Sequence, residues 1–338
     1  MNSLERLKHR LRGEGVDRPP NLDIVMTFAA HHIGRPLSQF YLDHRVLVDA
    51  NLCVAEDFNL DIVQAISDPF REAADFGLEV DFPSDSLPVN RKPLLVAPED
   101  IKKLVAPNPA TGPRMSDRVE ATRLFREKVG GELPIMGWVE GALAEAADLR
   151  SVYETMKDLI QRPLWLEELL EICVQVAIAF ARVQVEAGAD IIGLGDAVAS
   201  QISPAMYRRF ALPYEQRIFQ AVHEMGALAR LHICGNTNRI IADMVESGAD
   251  IIDLDWMVDM KCAAEQFGNK VSFLGNMDPV AVMLQGTPAK VLAATAYCMK
   301  VGGPRAISGA GCEVPDGTPH ENFHAQSRAL SKIGGFEG

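Results

Sequence analysis

The chain has 338 residues, of which 48% are hydrophobic, and its 33 Lys and Arg against 46 Asp and Glu give a formal net charge of −13. A chain of this length can bury a large core, and its six scattered cysteines are too few for a fold that depends on disulfides. The acidic residues are spread along the sequence without a stripe of Lys and Arg, so we expect neither nucleic acid nor an anionic membrane as a partner.

The amino-terminal residues 1–12 form a charged amphipathic stretch that lacks the apolar segment of a signal peptide. No run in the sequence approaches the ~18 apolar residues that a membrane-spanning helix needs. We therefore expect a cytoplasmic protein without a membrane segment.

Short apolar segments alternate with helical patterns along the chain, and this alternation is typical of parallel sheets whose strands are connected through helices. The sequence EAGADIIGLGD at 186–196 is nearly repeated as ESGADIIDLDW at 246–256, which indicates that one helix-to-strand unit recurs. Gly188 and Gly248 occupy the position in each copy where a helix commonly ends in the left-handed conformation. We predict eight strands, at 21–28, 61–66, 133–139, 190–194, 227–233, 250–254, 270–274 and 305–308.

Three Ser-Pro or Thr-Pro pairs predict where helices begin between these strands. The Ser or Thr side chain caps free backbone N–H groups, and the following Pro presets φ for the first turn. The pairs begin at Ser203, Thr287 and Thr318.

Eight strands in this rhythm predict an α/β protein with a (β/α)8 TIM barrel, in which the βα loops meet at the carboxyl ends of the strands. A doubly wound sheet is the alternative, but the glycine-rich phosphate-binding turn that it usually needs does not follow the first predicted strand. The gap at 69–132 contains seven prolines between 83 and 113, so we predict an inserted lid between strands 2 and 3. We expect residues 1–338 to form one barrel domain with an N-terminal helical extension.

A candidate metal site lies at the end of the fifth predicted strand, where the sequence reads LHICGN at 231–236. Alternate residues of a strand face the same side, so His232 and Cys234 point the same way. Cys312 follows the eighth predicted strand, where preceding glycines allow the backbone to turn its side chain inward. A His, Cys and Cys set with an open fourth position is typical of catalytic zinc, whereas the structural alternative is a buried thiol beside a core histidine. The other cysteines are expected in the core, namely Cys53, Cys173, Cys262 and Cys298.

Polar residues follow several other predicted strands, namely Asp68, Glu140, Asp196, Asn276 and Asp278. Their expected convergence at the mouth of the barrel makes them candidates for acid–base chemistry or for binding a polar substrate. A single carboxylate at a strand end more often caps a helix, and this alternative applies above all to Asp278.

Two further features near the predicted barrel mouth have both a functional and a structural interpretation. His32, beside His31 after the first predicted strand, is a candidate for substrate binding, or else a member of a surface pair. Trp138 and Trp256 lie at strand ends and can wall a planar ligand, whereas packing is the structural alternative.

Four segments of the chain carry a family resemblance: ISPAMYRRFALPY at 202–214, LHICGNT at 231–237, LGNMDP at 274–279 and GCEVPDGTPHEN at 311–322. They resemble the uroporphyrinogen decarboxylase superfamily, and more closely its zinc-dependent branch of corrinoid methyltransferases. The resemblance extends from about residue 4 to residue 329, and together the four segments are specific for the superfamily.

The resemblance to the methyltransferase branch implies that His232, Cys234 and Cys312 bind zinc, with Glu140 or Glu313 as a fourth ligand at rest. It also implies that the protein exchanges a methyl group with a cobalamin held on a separate corrinoid protein, and the chain has no Asp-x-His-x-x-Gly sequence to bind cobalamin itself. The other partner is a small molecule, either a thiol acceptor such as coenzyme M or a methoxy or similar methyl donor. A homodimer is among the assemblies that we expect.

The decarboxylase branch of the superfamily is an alternative, because Asp68 resembles the catalytic aspartate of that branch. The decarboxylase, however, needs no metal, and it binds a porphyrinogen rich in carboxylates through an Arg-rich segment after its first strand, where this chain offers only Arg35. A barrel that binds a ligand without turnover is a third interpretation. We assign Asp68 and Glu140 to catalysis, and we assign to substrate binding Asp196, Asn276, Asp278 and His32.

Overall fold

Six parallel strands form a curved sheet at the centre of the computed structural model, which describes residues 1–334. In chain order the strands are β1 (Val63–Gln64), β2 (Val80–Asp81), β3 (Val89–Asn90), β4 (Ile135–Glu140), β5 (Ile191–Gly195), β6 (Leu228–His232), β7 (Ile251–Asp253) and β8 (Ser272–Leu274). The strands β1, β4, β5, β6, β7 and β8 pair in this order, and each is parallel to its neighbour. The strands β2 and β3 form a separate antiparallel hairpin.

Helices follow the strands and pack around the sheet. Within residues 1–334 they are α1 (Ser3–Leu11), α2 (Thr27–His32), α3 (Leu37–Leu42), α4 (His44–Phe58), α5 (Arg71–Asp75), α6 (Pro113–Val129), α7 (Ala142–Arg150), α8 (Val152–Gln161), α9 (Pro163–Ala187), α10 (Pro204–Phe210), α11 (Leu212–Glu224), α12 (Ile241–Val245), α13 (Met260–Phe267), α14 (Pro288–Gly302) and α15 (His320–Gly334). Other helical turns are Pro98–Lys103, Ala197–Gln201 and Pro279–Leu284. None of the helices in this part of the chain is both long and apolar enough to span a membrane.

Two further segments close the sheet into a ring through single bridges instead of regular strands. Ile307 bridges to Leu274 at the end of β8, and Ser308 bridges to Asn21. The backbone N–H of Asp61 donates to the carbonyl of Asn21 at 2.8 Å and thereby connects this segment to β1. All eight predicted strands therefore contribute to the ring, and the predicted (β/α)8 barrel is confirmed.

The first predicted strand, 21–28, is wrong at its end, because helix α2 begins at Thr27. The backbone N–H and the hydroxyl of Thr27 each donate to Glu313 Oε1 at 2.8 Å. Since this acceptor lies 286 residues away in the sequence, the local apolar pattern of 21–28 does not reveal the helix start.

The interior of the barrel is filled by apolar side chains from neighbouring strands. Leu7 of α1 belongs to the same cluster, and the backbone N–H of Leu4 donates to the carbonyl of Glu132, just before β4, at 3.0 Å. The predicted N-terminal helical extension therefore covers the end of the barrel where the strands begin. The buried strand residues of this cluster include Leu22, Met136, Ile191, Ile251, Leu274 and Ile307.

The repeated helix-to-strand unit has the same backbone conformation in both copies. Gly188 has a φ of +114° and Gly248 a φ of +91°, a region that residues with a side chain rarely adopt. In the first copy the carboxylate of Asp190 accepts from the backbone N–H that begins β4, at 3.0 Å. In the second copy Asp250 accepts from a backbone N–H of β6 at 2.8 Å. Each aspartate therefore joins its own strand to the preceding strand of the ring.

Two of the three predicted helix starts are confirmed. The hydroxyl of Ser203 accepts from a backbone N–H in the first turn of α10, and that of Thr287 accepts from one in α14, both at 3.3 Å. The third start is wrong by one residue, because α15 begins at His320 instead of Pro319. The Thr318 hydroxyl donates instead to the carbonyl of Pro315 at 2.7 Å.

The segment predicted as an inserted lid, 69–132, contains α5, the β2–β3 hairpin, the turn Pro98–Lys103 and α6. Helix α6 packs against α4 and α9 as part of the outer helical layer. The less regular part is held against α7 and α9, since Arg150 donates to the carbonyl of Leu95 at 2.8 Å and the Trp165 indole donates to the carbonyl of Pro98 at 2.8 Å.

Candidate metal centre

A cavity of about 320 Å³ opens at the carboxyl ends of the barrel strands. A largely apolar pocket with a few convergent polar groups is the usual form of a small-molecule site. The apolar part of its wall includes Ile24, Met26, Ile66, Pro69 and Trp138. The polar part consists of Asp68, Arg71, Glu140, His232, Cys234, Cys312 and Glu313.

His232 is the last residue of β6, and its ring is held from behind by the adjacent strand. Its Nδ1–H donates to Asp253 Oδ2 at 2.8 Å, and Arg230 donates to the same carboxylate through Nε and Nη2, each at 2.9 Å from its nearer oxygen. This arrangement leaves Nε2 facing the cavity, 3.8 Å from the sulfur of Cys312. A carboxylate behind an imidazole is the usual support for a metal-binding histidine, since it fixes the tautomer and the ring orientation.

Cys234 lies two residues beyond the end of β6, in a loop with a fixed conformation. The next residue, Gly235, has a φ of +95°, and its backbone N–H donates to Asp255 Oδ2 at 2.8 Å. The glycine allows the chain to turn directly after the cysteine, and the carboxylate holds the turn in place. Cys234 therefore lies on the same side of the strand as His232, as the alternation of strand residues predicts.

Cys312 reaches the cavity from the loop after the last ring segment. The backbone N–H of Ala310 donates to the buried Asp23 at 2.7 Å, and that of Gly311 donates to the carbonyl of Met277 at 2.8 Å. A Cβ on Gly311 would lie 2.4 Å from the backbone nitrogen of Trp256, so this position admits no side chain. Backbone hydrogen bonds therefore fix the path of the loop, and Gly311 allows it to pass close to the backbone of Trp256.

The structure brings the three predicted ligands together. His232, Cys234 and Cys312 each offer one ligand atom, and these atoms lie within 4.8 Å of one another. One imidazole nitrogen and two thiol sulfurs, with a carboxylate behind the imidazole, suit zinc and leave one tetrahedral position for a substrate. Glu140 and Glu313, the predicted alternatives for a fourth ligand, line the same cavity but are not members of this group.

The two thiols and the imidazole share protons within the cluster. The pKa of Cys234 falls to about 4, first because of its hydrogen bond with Cys312 and then because of His232. The same hydrogen bond, together with burial, raises the pKa of Cys312 well above its usual range. Burial lowers the pKa of His232, but the hydrogen bonds with Asp253 and Cys234 outweigh it and raise this pKa to about 9. A metal that binds here must therefore displace protons.

Glu140, predicted as a catalytic residue, is the last residue of β4 and lines the cavity. It accepts a hydrogen bond from Arg71 at 2.5 Å and a longer one from the Trp138 indole at 3.3 Å. Burial raises the pKa of Glu140, and the nearby Glu72 raises it as well, whereas Arg71 lowers it. The resulting pKa is about 7. A carboxyl group with this pKa can take up or release a proton at neutral pH.

Asp68, the second predicted catalytic residue, lies in the same wall but is held as an anion. Burial raises its pKa, but Arg114 and then Arg71 lower it further, so that it stays below its usual value. Arg114 contacts the carboxylate at 2.5 Å, and the Ser67 hydroxyl donates to it at 2.7 Å.

Asp196, predicted to bind substrate, turns its side chain away from the cavity. Its neighbours Gly195 and Ala197 line the cavity, but the Asp196 side chain is fully buried behind Gly141, and its carboxylate oxygens have no hydrogen-bond partner among residues 1–334. Burial, and then the nearby Glu215, raise its pKa well above the usual range, so this group is a neutral acid.

Asn276 and Asp278, also predicted to bind substrate, make hydrogen bonds within the loop after β8 and lie outside the cavity wall. The Asn276 amide donates to the carbonyls of Asp255 at 3.0 Å and Val258 at 2.8 Å. Asp278 accepts from two backbone N–H groups of Pro279–Leu284, both at 2.8 Å, and so caps this turn as the structural alternative predicts.

His32, the last predicted substrate-binding residue, lies at the end of α2 and does not line the cavity. Its ring stacks on Phe28 with centroids 5.6 Å apart, and its Nε2 donates to Asp57 at 2.7 Å. His31 instead lies beside Asp316, at 2.9 Å. The two histidines therefore point in different directions, with His32 beside Asp57 and His31 beside Asp316.

The sequence analysis missed the buried arginines around Asp68. Arg71 lines the cavity, and Arg114 and Arg118 from α6 lie behind it. The sequence signal for Arg71 was its position three residues after Asp68 in Asp-Pro-Phe-Arg, one helical turn beyond the end of a barrel strand. Arg114 and Arg118 have no such signal, because they come from a helix distant in the sequence.

The other cysteines match the expected core position only in part. Cys173 and Cys298 are buried as expected, whereas Cys53 is half-buried and Cys262 is exposed. The two tryptophans also separate, since Trp138 lines the cavity and Trp256 is largely exposed.

Comparisons with known proteins identify the family to which this chain belongs. The sequence model of the family described as uroporphyrinogen decarboxylase (URO-D) matches residues 2–333. The methylcobamide:CoM methyltransferase MtbA of Methanosarcina mazei is 34% identical over 227 residues, which span 67% of this chain and only 66%, just under two thirds, of that relative. The methylcobamide:CoM methyltransferase MtaA of Methanosarcina barkeri is 29% identical over 335 residues, 95% of each chain. A solved structure of a methyltransferase from Methanosarcina mazei covers 98% of this chain and 99% of its own length, with a TM-score of 0.90 and 27% identity. This chain therefore belongs to the uroporphyrinogen decarboxylase family.

Proposed function

We propose that this protein is a zinc-dependent methyltransferase that moves a methyl group between a corrinoid protein and a small molecule. The observation that carries the proposal is the group of His232, Cys234 and Cys312, whose ligand atoms lie within 4.8 Å of one another in the wall of the cavity. The similarity to two methylcobamide:CoM methyltransferases supports a corrinoid as one partner and a thiol as the other.

The three side chains would hold zinc at the end of the barrel where small molecules enter. Zinc bound there would act as a Lewis acid that lowers the pKa of a thiol in the fourth position, so that the thiol is ionised near neutral pH. Asp253 keeps the Nε2 atom of His232 directed into the cavity through its bond to Nδ1. The ligands are thus oriented before the substrate binds.

Glu140 is the acid–base group in this proposal. With a pKa of about 7, part of Glu140 is a carboxylate at neutral pH, and Arg71 stabilises this form. The carboxylate accepts the proton that the substrate thiol loses and becomes a neutral acid. The substrate sulfur then forms a bond to the methyl carbon, and the carbon–cobalt bond breaks with its electron pair left on cobalt. The apolar residues of the wall, such as Ile24 and Met26, keep water away from the reacting sulfur.

The cobalamin arrives on a partner in this proposal, because the sequence has no Asp-x-His-x-x-Gly segment to bind it. The cavity of about 320 Å³ suits a small thiol, and its opening at the carboxyl ends of the strands faces the side from which a second protein can approach. Asp68, fixed as an anion by Arg114, is assigned to positioning the polar groups of the cavity.

Decarboxylation of a porphyrinogen is the second candidate function, favoured by the ionised Asp68 at the position that resembles the decarboxylase aspartate. The small number of cationic residues in the cavity wall argues against decarboxylation of a porphyrinogen. Among the described residues Arg71 is the one Arg or Lys in the wall, and it is already paired with Glu140. A porphyrinogen that carries many carboxylates would therefore lack cationic partners in this wall.

The test is methyl transfer from free methylcobalamin to coenzyme M by the zinc-loaded protein, followed through the loss of methyl–cobalt absorbance. We expect turnover that Cys312→Ser reduces to near background, with the loss of the one equivalent of zinc that His232, Cys234 and Cys312 hold. Cys262→Ser, which removes an exposed thiol outside the cavity, should leave both unchanged. Turnover of uroporphyrinogen without methyl transfer, or full zinc binding by Cys312→Ser, would contradict the proposal.

A further inference from the structure

A second group of metal-ligating side chains lies outside the cavity, on the outer helical layer. His32 at the end of α2 and Cys53 and Asp57 on α4 each offer one ligand atom, and these atoms lie within 4.8 Å of one another. None of the three lines the cavity that contains His232, so the two groups are separate sites.

The positions of these three residues follow from the helices that carry them. Cys53 and Asp57 are four residues apart on α4, so their side chains lie on one face of that helix. The Cys53 sulfur is 3.5 Å from Asp57 Oδ2, and His32 Nε2 is 2.7 Å from the same oxygen. The carboxylate therefore lies between the thiol and the imidazole.

The His32 ring is held in place by aromatic neighbours. It stacks on Phe28 at a centroid distance of 5.6 Å and tilts against Phe58 at 5.2 Å, and its side chain is only 10% exposed. The ring of His320, the first residue of α15, lies 5.0 Å away. An imidazole fixed in this way loses little conformational entropy when it binds a metal, unlike a free surface histidine.

We propose that His32, Cys53 and Asp57 form a second binding site for a divalent transition metal of the zinc class. One imidazole, one thiolate and one carboxylate are a ligand set that suits zinc, whereas magnesium and calcium prefer oxygen ligands alone. An ordinary surface ion pair explains His32 and Asp57 but gives no role to the thiol directed at the same carboxylate oxygen. His320 is not a member of this group, but its ring lies edge-on to His32 and helps to hold that imidazole in place.

Metal at this second site would join α2 to α4. Met26, which lines the cavity, directly precedes α2. The site is thus structural and does not touch the reacting groups. The proposal does not depend on the methyltransferase function.

The experiment is a cobalt(II) titration of the metal-free full chain, followed by the thiolate-to-cobalt absorbance in the near ultraviolet. We expect two equivalents of cobalt for the unaltered protein, and one for each of the variants Cys53→Ser and His32→Ala. The thiolate absorbance at saturation should fall by about a third in Cys53→Ser, since two of three thiolate ligands remain. Cys262→Ser is the matched control and should keep both equivalents.

A variant that removes both thiols of the first site, Cys234→Ser with Cys312→Ser, separates the two proposals. This double variant should still bind one equivalent of cobalt, with the absorbance of a single thiolate. This result is expected whether or not His232, Cys234 and Cys312 bind metal in the unaltered protein. Asp57→Asn, which replaces a half-exposed carboxylate by an amide of the same shape, should weaken this equivalent at least tenfold. Binding that is the same in the unaltered protein, Cys53→Ser and His32→Ala would overturn the proposal.

Discussion

The orientation of one imidazole decides what the cavity can bind. His232 donates through Nδ1 to Asp253, and Asp253 is held in turn by the fully buried Arg230. This chain of contacts keeps a proton on Nδ1, so Nε2, which faces Cys312, is the nitrogen that can bind a metal once its own proton is displaced. Zinc binding by the proposed site would therefore depend on two residues, Asp253 and Arg230, that are not among its ligands.

Asp253→Asn should weaken zinc binding 10- to 100-fold, because an amide supports the imidazole less strongly than a carboxylate. Competition with a chromogenic chelator measures the change in the dissociation constant. Asp250→Asn is the control, since Asp250 accepts hydrogen bonds from His223 and β6 at the opposite end of the barrel. Equal zinc affinity in Asp253→Asn and the unaltered protein, with both folded by circular dichroism, would show that the support is unnecessary.

Glu140→Gln should remove the acid–base group from the cavity and lower the rate of methyl transfer about 100-fold or more. In the unaltered protein the base form of Glu140 is required, so the rate should rise with pH through about 7, where this group loses its proton. The variant should lack this rise. A pH–rate profile measures both effects.

Glu145→Gln is the matched control for that profile. Glu145 is a buried carboxyl on α7 outside the cavity wall, and burial raises its pKa well above the usual range. Because it is already neutral, the amide should preserve both the rate and its pH dependence. A profile of Glu140→Gln that still rises through pH 7 would assign the titration to another group.

At the scale of whole elements, helix α1 is attached to the barrel by charges as well as by Leu7. Arg6 of α1 contacts the fully buried Asp61 at 2.6 Å, and Arg18 donates to the same carboxylate at 2.6 Å. The backbone N–H of Asn21 donates to it at 2.7 Å. One carboxylate thus joins the N-terminal helix, the first ring segment and the residues that lead into β1.

Asp61→Ala should lower the free energy of unfolding by about 3–5 kcal/mol, because it removes a buried carboxylate that Arg6, Arg18 and the backbone N–H of Asn21 all contact. Urea denaturation at pH 7 measures the loss. Asp243→Ala, which removes the partner of the exposed Arg208, should cost less than about 1 kcal/mol. A loss for Asp61→Ala no larger than that of the control would mean that α1 contributes little to the stability of the barrel.

The elements that sequence reasoning located correctly are those with a local signal. All eight ring segments have apolar runs, and Gly188 and Gly248 mark the ends of the helices before two of them. The start of α2 at Thr27 has no local signal, because its acceptor is Glu313 near the other end of the chain. The start of α15 was misplaced because the Thr318 hydroxyl has a competing acceptor in Pro315.

At the scale of the whole molecule, net charge says little about the cavity. The formal charge of −13 belongs to a surface rich in Asp and Glu, whereas Arg71, Arg114 and Arg118 are buried around Asp68. The alternation of side chains along an extended backbone was enough to place His232 and Cys234 together, because residues two apart in the sequence need no tertiary information. The arginines come from α5 and α6, and their meeting depends on how these helices pack, which a single sequence does not contain.

The closing segment of the barrel also determines when the metal centre can exist. Cys312 follows the bridge between Ser308 and Asn21, so the loop that carries it is positioned by the two ends of the ring. During synthesis His232 and Cys234 leave the ribosome about 80 residues before Cys312, and the shorter nascent chain lacks the third ligand. Zinc held by the proposed site at His232, Cys234 and Cys312 would thus distinguish a finished chain from any product that stops before residue 312, since such a product lacks the third ligand.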